Sequence, residues 1–246
     1  MNLMQSASEA LLHAEYVSVF TGAGISVESG IPPFRGEHGL WSTYNPEILD
    51  IQYFNSHPLE SWKVIKEIFY DHFGKAVPNK AHLILADLEK RGIVKGIITQ
   101  NIDNLHFDAG SIVVSEYHGN SRLLICTGCG KEYNADPELL ADLPPRCTCG
   151  SVLKPDFVFF GEGIPERALS LTEEIVEKTD LMLLIGTTGE IYPASLIPYE
   201  VKKRGAEIIE INPHESAYTR SITDIFIQEP AVNAMKGIFD YLPEDV

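Results

Sequence analysis

Four times along this chain a short aliphatic run stops abruptly on a small or polar residue: YVSVF (16–20) before TGAG, IVKGII (93–98) before TQNID, LMLLI (181–185) before GTTG, and AEIIEI (206–211) before NPHE. Runs this short and this continuously apolar suit strands buried on both faces. The helical patterns between them, Lys80 to Arg91, Pro165 to Lys178 and Ala194 to Arg204, supply crossovers between parallel neighbours. The expectation is an α/β fold with a Rossmann-like parallel sheet. In open sheets of this kind ligands sit beyond the carboxyl ends of the strands, so the four polar ends point at one crevice.

Two segments fall outside the alternation. Residues from about 36 to 77 are aromatic-rich and helical in pattern, with Trp41, Phe54, Trp62, Phe69 and Phe73, and read as a helical insertion. Residues from about 120 to 156 hold every cysteine of the chain. The whole of 1–246 reads as one unit carrying these two insertions. The formal charge of -16 disfavours a nucleic-acid partner, which needs clustered Lys and Arg. A macromolecular partner would be basic, unless the acidic surface serves solubility alone. The start, MNLMQSASEALLHAEY, patterns as an amphipathic helix rather than a signal peptide, and no apolar run approaches the ~18 residues of a membrane span. A cytoplasmic protein is expected.

The cysteines stand as Cys126-Thr-Gly-Cys129 and Cys147-Thr-Cys149. Two tight pairs of thiolates make a closed tetrahedral set, the structural kind of zinc site. The second pair is one residue shorter than usual, so its turn must be tighter. Two disulfides or four unrelated buried thiols are the alternatives, the first disfavoured in a reducing compartment. With all four thiolates on metal no cysteine is left as a nucleophile, and no GxSxG elbow supplies a serine.

The first strand end, TGAGISVESGIPPFRG (21–36), begins like a dinucleotide-binding loop and then departs from it. Val27 occupies the place of the third glycine of GxGxxG, and a proline-rich stretch with Phe34 and Arg35 follows where an acidic ribose ligand would be sought. Arg35 offers forked donors to a diphosphate, or forms a surface ion pair. Gln100-Asn101-Ile102-Asp103 follows a buried strand; Asn and Asp together can read a carboxamide, although both also end strands as turn residues. His118, after VVSEY (113–117), is placed to act as a general base near neutral pH. Gly186, Thr187, Thr188 and Asn212 end two further strands and suit ribose hydroxyls, or cap the chain.

Taken in order, GAGIS, GIPPFRG, TQNIDNLH, the HG of EYHG, the cysteine pairs, KPDFVFFGE, GTTGEIYPA and INPHE resemble the sirtuins, NAD-dependent protein-lysine deacylases, over roughly residues 8–240. The resemblance implies a small domain made of the helical insertion and a four-cysteine zinc module, with NAD and an acylated peptide meeting between it and the parallel-sheet domain. It implies that NAD is consumed as a co-substrate and that one structural Zn2+ is held by Cys126, Cys129, Cys147 and Cys149. Ala23, Gly24 and Arg35 would hold the diphosphate region, with Val27 in the same loop, and Phe34 would cover the reacting ribose. Ile31, Asn101, Ile102 and Asp103 would form the nicotinamide pocket. Gln100 and Asn101 would orient the ribose and a water, and Gly186, Thr187, Thr188, Asn212 and Ala231 would hold the adenosine half.

By the same resemblance the acyl-lysine carbonyl oxygen attacks the ribose carbon as nicotinamide leaves, and His118 takes a proton from the ribose hydroxyls so that the 2'-hydroxyl attacks the imidate carbon. Lysine, nicotinamide and O-acyl-ADP-ribose would result. Val158, Phe159, Phe160, Gly161 and Glu162, with Glu190 and Ile191, would hold the peptide as an added strand. An ungapped match on Trp62 puts Ile65 and Ile68 where the desuccinylating branch carries Tyr and Arg, so a neutral acyl group is expected. Glu190 would favour basic neighbours beside the target lysine, or is a solvated edge charge. Mono-ADP-ribosyl transfer to protein, and a non-catalytic sensor of NAD or acyl-lysine, are the alternative functions.

Overall fold

The computed structural model describes residues 2–34 and 39–243. Among the described residues nine strands run β1 Val17–Thr21, β2 Val94–Thr99, β3 Val114–Glu116, β4 Gly119–Cys126, β5 Glu132–Asn134, β6 Leu153–Phe157, β7 Leu181–Ile185, β8 Glu207–Ile211 and β9 Ile225–Ile227. The helices are α1 Leu3–His13, α2 Ile51–Ser56, α3 Pro58–Ile65, α4 Lys80–Lys90, α5 Leu105–Asp108, α6 Glu166–Lys178, α7 Ile197–Lys203 and α8 Ala231–Phe239.

Six strands form one parallel sheet in the order β3-β2-β1-β7-β8-β9. The chain builds outward from β1 through β2 to β3, then returns to the other side of β1 and builds outward again from β7. The direction of building reverses between β1 and β7, and at such a switch point ligands sit beyond the carboxyl edge. Every residue of β1 and β7 is buried, as their unbroken apolar runs require. Alternate residues face opposite ways. Val19 and Leu183 pack with Leu11, Leu85, Met235 and Ile238 of α1, α4 and α8, whereas Phe20 and Leu184 pack with Ile175 and Val201 of α6 and α7.

The strands extend one residue beyond two of the aliphatic runs. Thr21 and Thr99 close β1 and β2 as register partners, and Thr21 Oγ1 donates to Thr99 Oγ1 at 2.8 Å. These hydroxyls satisfy each other inside the sheet. The expected helix 194–204 is a 3-10 turn, Ala194–Leu196, leading into α7. Pro198 sits in the first turn of α7, where no helical N–H is needed.

The two insertions share a core of their own. Trp62, Ile65 and Phe69 from the helical segment pack with Leu124, Leu153, Phe157, Cys126 and Cys147 of the cysteine segment. The Trp62 indole is fully buried and its N–H donates to the Leu153 carbonyl at 2.8 Å, so the ring's apolar surface is buried without orphaning its donor. The cysteine segment is itself an antiparallel sheet, ordered β5-β4-β6. The sequence does not show that sheet, because β5 is three residues long and largely exposed and polar residues interrupt β4 and β6.

Candidate active site

At the crevice the loops after β1 and β7 touch backbone to backbone. Gly24 N–H donates to the Gly186 carbonyl at 2.9 Å, and Gly22 N–H to that of Ile185 at 3.0 Å. A Cβ on Gly24 would lie 2.5 Å from the Gly186 Cα, so the approach admits no side chain there. Gly186 has φ +64, a left-handed conformation that favours glycine. Beyond Gly22 the chain winds as a 3-10 turn, Ala23–Ser29, rather than the long α-helix of a hydride-transfer nucleotide fold. Val27 faces outward on that turn, half exposed, while Ile31 is buried. Phe34 is half-buried, its ring 5.5 Å from that of Trp41. Arg35 lies outside the described residues.

The end of β2 supplies the polar floor. Asn101 is buried, and its side-chain amide donates to the Gly22 carbonyl at 3.1 Å and to Ser26 Oγ at 3.3 Å. Its Oδ1 is thereby turned to accept. Asp103 accepts from Ser26 Oγ at 2.6 Å and from the Leu105 N–H at 3.0 Å. Burial nevertheless holds its carboxyl above the ordinary range, against the pull of those two donors. The Gln100 amide donates to Thr187 Oγ1 at 3.0 Å, tying the β2 and β7 ends together.

His118 closes the group. Its Nδ1 lies 3.1 Å from the Gln100 carbonyl, which only accepts, so Nδ1 carries the proton and Nε2 carries the lone pair. Burial pushes this imidazole below its ordinary value, with the carbonyl bond opposing. Ser26, Thr21, Thr99 and His106 also build the floor, and sequence reasoning missed them. Thr99 Oγ1 accepts from the Asn101 N–H at 3.0 Å, and His106 Nε2 lies 3.0 Å from Thr21 Oγ1. The available signal was hydroxyls at both strand ends followed by histidine in TQNIDNLH.

His106 packs against His82, ring centroids 5.0 Å apart. Burial lowers the pKa of His82 from 6.5 to about 4, and that of His106 well below 6.5. Both rings stay neutral in the folded chain while the unfolded chain takes up protons. The stability they contribute is present above about pH 6.5 and is lost as pH falls toward about 4, His82 alone accounting for of order 3 kcal/mol. Urea unfolding at about pH 7 and about pH 4.5 should show that loss, and a His82→Gln variant a smaller one. Equal pH slopes in both proteins would contradict the assignment.

The adenosine side centres on Asn212, whose amide donates to the Thr187 carbonyl at 2.9 Å and to Glu210 Oε1 at 3.1 Å. Thr187 is buried and Thr188 exposed. The Ala231 side chain packs into the core beside α8, so any ligand contact there belongs to its backbone.

The walls require one correction. Ile65 and Ile68 are fully buried in the small-domain core and do not face the cleft. The helix continues beyond α3 as a π-helical segment, Lys66–His72, and a π turn adds a residue to the α-helical count. Phe69, Phe73 and Ala76 instead line a cavity of about 90 Å³ with Ile102, Asp103 and Asp108. Phe159 is also a core residue, its ring 5.2 Å from Phe54 and 5.3 Å from Phe157. The segment alternates, so Val158 is half-buried and Phe160 is 47% exposed.

Most of the backbone of 158–162 is already paired. Val158 N–H donates to the His118 carbonyl, Phe160 N–H to that of Leu49, and Glu162 N–H to that of Phe159. Phe159 N–H bonds the Glu162 carboxylate. Among the described residues the Gly161 N–H takes no partner. Across the cleft Glu190 is exposed and Ile191 half-buried.

The four cysteine sulfurs lie within 4.8 Å of one another, Cys126 to Cys149 at 3.5 Å and Cys129 to Cys147 at 3.6 Å. Tetrahedral Zn–S bonds of about 2.3 Å place sulfurs about 3.8 Å apart. The set suits one structural Zn2+.

A doubly wound parallel sheet with its polar loops gathered at the β1/β7 switch, joined to a small four-thiol domain, defines a nucleotide-binding α/β protein. The Sir2 family model matches residues 22–193. The chain is 43% identical over 238 residues to an NAD-dependent protein deacetylase of Sulfurisphaera tokodaii, covering 95% of this chain and 94% of that one. It is 44% identical to an NAD-dependent protein deacylase of Pyrococcus furiosus, covering 93% and 94%. A solved Sir2 structure with a deacetylated p53 peptide and 3'-O-acetyl ADP-ribose superposes with a TM-score of 0.90 at 34% identity, covering 96% and 97%. The chain belongs to the Sir2 family. No helix among the described residues is long and apolar enough to cross a membrane.

Proposed function

We propose that this chain is an NAD-dependent protein-lysine deacylase that moves a neutral acyl group from lysine to ADP-ribose and releases nicotinamide. The observation that carries the reading is the pinned tautomer of His118. With Nδ1 committed to the Gln100 carbonyl, the lone pair of Nε2 is available as a base beside the strand-end groups Asn101 and Asp103.

In this reading NAD enters as a co-substrate, and the acyl carbonyl oxygen displaces nicotinamide from its ribose carbon. Asp103, fixed by Ser26 and Leu105, receives the nicotinamide carboxamide, and Ile31 and Ile102 flank it. Asn101 accepts through its Oδ1 and orients the ribose. His118 then takes the 2'-hydroxyl proton as that oxygen bonds to the imidate carbon; water addition and departure of the amine leave the ester on the sugar. Ala23, Gly24 and Val27 line the diphosphate side, Phe34 covers the ribose, and Arg35 would pair with the diphosphate. Thr187, Thr188, Asn212, Gly186 and the Ala231 backbone hold the adenosine.

The acylated peptide enters as a strand between Gly161, flanked by Val158, Phe160 and Glu162, and the Glu190–Ile191 segment. Ile65 and Ile68 are apolar and buried and bring no cation to hold a dicarboxylate, so a neutral acyl group is favoured. Exposed Glu190 favours basic neighbours, and four thiols kept for a metal suit the reducing cytoplasm.

Mass spectrometry of reactions with NAD and acetyl-lysine peptides, with and without basic flanks, tests this. Equal amounts of nicotinamide and acetyl-ADP-ribose are expected, with faster turnover of the basic peptides. A heavier protein beside unchanged peptide would indicate ADP-ribosyl transfer instead. Binding without nicotinamide release would indicate a sensor.

A further inference from the structure

The two cysteine turns are not equivalent, and the difference falls on one tyrosine. In the first turn two backbone N–H groups, those of Gly128 and Cys129, point at Cys126 Sγ, each at 3.4 Å. The second turn is one residue shorter, and only the Cys149 N–H reaches Cys147 Sγ, at 3.5 Å. The amide at the place of Cys129, that of Gly150, turns away to the Cys147 carbonyl at 2.8 Å, and the Thr148 N–H donates to the Tyr133 hydroxyl oxygen at 3.3 Å. That oxygen stands 3.2 Å from Cys147 Sγ.

A metal-bound thiolate has no proton to give, so the direction of this last contact follows: the tyrosine O–H donates to sulfur while its oxygen accepts from the Thr148 amide. We propose that Tyr133 supplies the hydrogen bond that the shortened turn cannot make from its own backbone, and so completes the Cys147 half of the zinc centre. Thr148 Oγ1, 3.4 Å from the Tyr133 oxygen and 3.9 Å from Cys147 Sγ, is the more distant hydroxyl at that sulfur.

Tyr133 is built to hold that position. It is the middle residue of β5, paired with Leu124 of β4, its ring packs against the small-domain core, and the Lys131 ammonium lies 5.0 Å over the ring. A donor to a thiolate spreads the sulfur's charge and fixes its orientation toward the metal. Partners of this kind contribute about 10- to 100-fold to metal affinity. The inference rests on the zinc reading and is independent of the chemistry assigned to the cleft.

The test is Tyr133→Phe in the full chain, which keeps the ring and its packing. Zinc affinity is measured by competition with a chromogenic chelator, and the cobalt-substituted protein is examined for its sulfur-to-metal charge-transfer band. Tyr44→Phe serves as the control, since that residue's hydroxyl bonds Glu67 in the same domain. The expected result is a loss of about tenfold or more in affinity with a displaced band in Tyr133→Phe alone. An affinity within about twofold of the parent, an unmoved band, or an equal loss in Tyr44→Phe would each overturn the proposal.

Discussion

Replacing His118 with alanine is expected to lower multiple-turnover deacylation by about 10²- to 10⁴-fold, the contribution of a positioned general base. Exchange of labelled nicotinamide into NAD should persist. The two readouts separate because, in the proposed sequence, the acyl oxygen displaces nicotinamide before any ribose hydroxyl is deprotonated. Without the imidazole the intermediate waits, and free nicotinamide can recombine with it. The KM for NAD should change little, since no diphosphate or adenosine contact is assigned to His118. The pH profile carries the same assignment: burial holds this imidazole below its ordinary value, so the base is free at neutral pH. The acidic limb of kcat/KM should therefore fall below about pH 6.5 and vanish in the variant. Loss of nicotinamide exchange in step with deacylation would place His118 in the first chemical step and break the assignment.

Stripping the metal should have the second large effect, and it should be confined at first to one part of the molecule. Cys126 and Cys147 belong to the same apolar cluster as Trp62, Leu124 and Leu153, so the thiol cluster and the helical insertion share one small core. Structural zinc contributes about 10–16 kcal/mol in isolated zinc-finger peptides, comparable with the whole stability of an ordinary domain at about 5–15 kcal/mol. A core of this size has no equivalent reserve. After confirmed zinc removal the emission of the buried Trp62 should shift to the red and deacylation should cease. The six-stranded sheet has its own two cores and should keep much of its far-ultraviolet signal. An apoprotein with unchanged emission and an unchanged unfolding midpoint would contradict a structural metal.

How legible these features were depended on whether a residue's neighbours in sequence were also its neighbours in energy. β1 and β7 could be read because both their faces are buried and apolar residues fill all but Ser18 and Thr21, whose hydroxyls have partners. β4, β5 and β6 could not, because each leaves part of its surface to water and the cysteines answer to the metal rather than to the pleat. The strand-end position of Asn101, Asp103 and His118 followed from the sheet pattern alone. Ser26, Thr21, Thr99 and His106 did not, because hydroxyls and histidines at strand ends look like turn chemistry until their partners, many residues away, are in view. Ile65, still within α3, and Ile68, at the start of the π-helical segment, were misplaced because a match on Trp62 alone cannot tell a core position from a cleft wall. The Phe159 ring lies in the core, a place that a run of aromatics does not reveal and that leaves the strand role of its backbone untouched.

The claim on which the whole account depends is that the acyl oxygen, and no atom of the enzyme, severs nicotinamide from its sugar. A peptide whose lysine amide carries 18O at the carbonyl tests it in a rapid-quench reaction. The account requires the heavy oxygen to arrive in O-acyl-ADP-ribose, as the hydroxyl on the carbon that nicotinamide left. Heavy oxygen found in the acyl carbonyl of the ester, or in free carboxylate beside unacylated ADP-ribose, would show that water or the protein cut that bond.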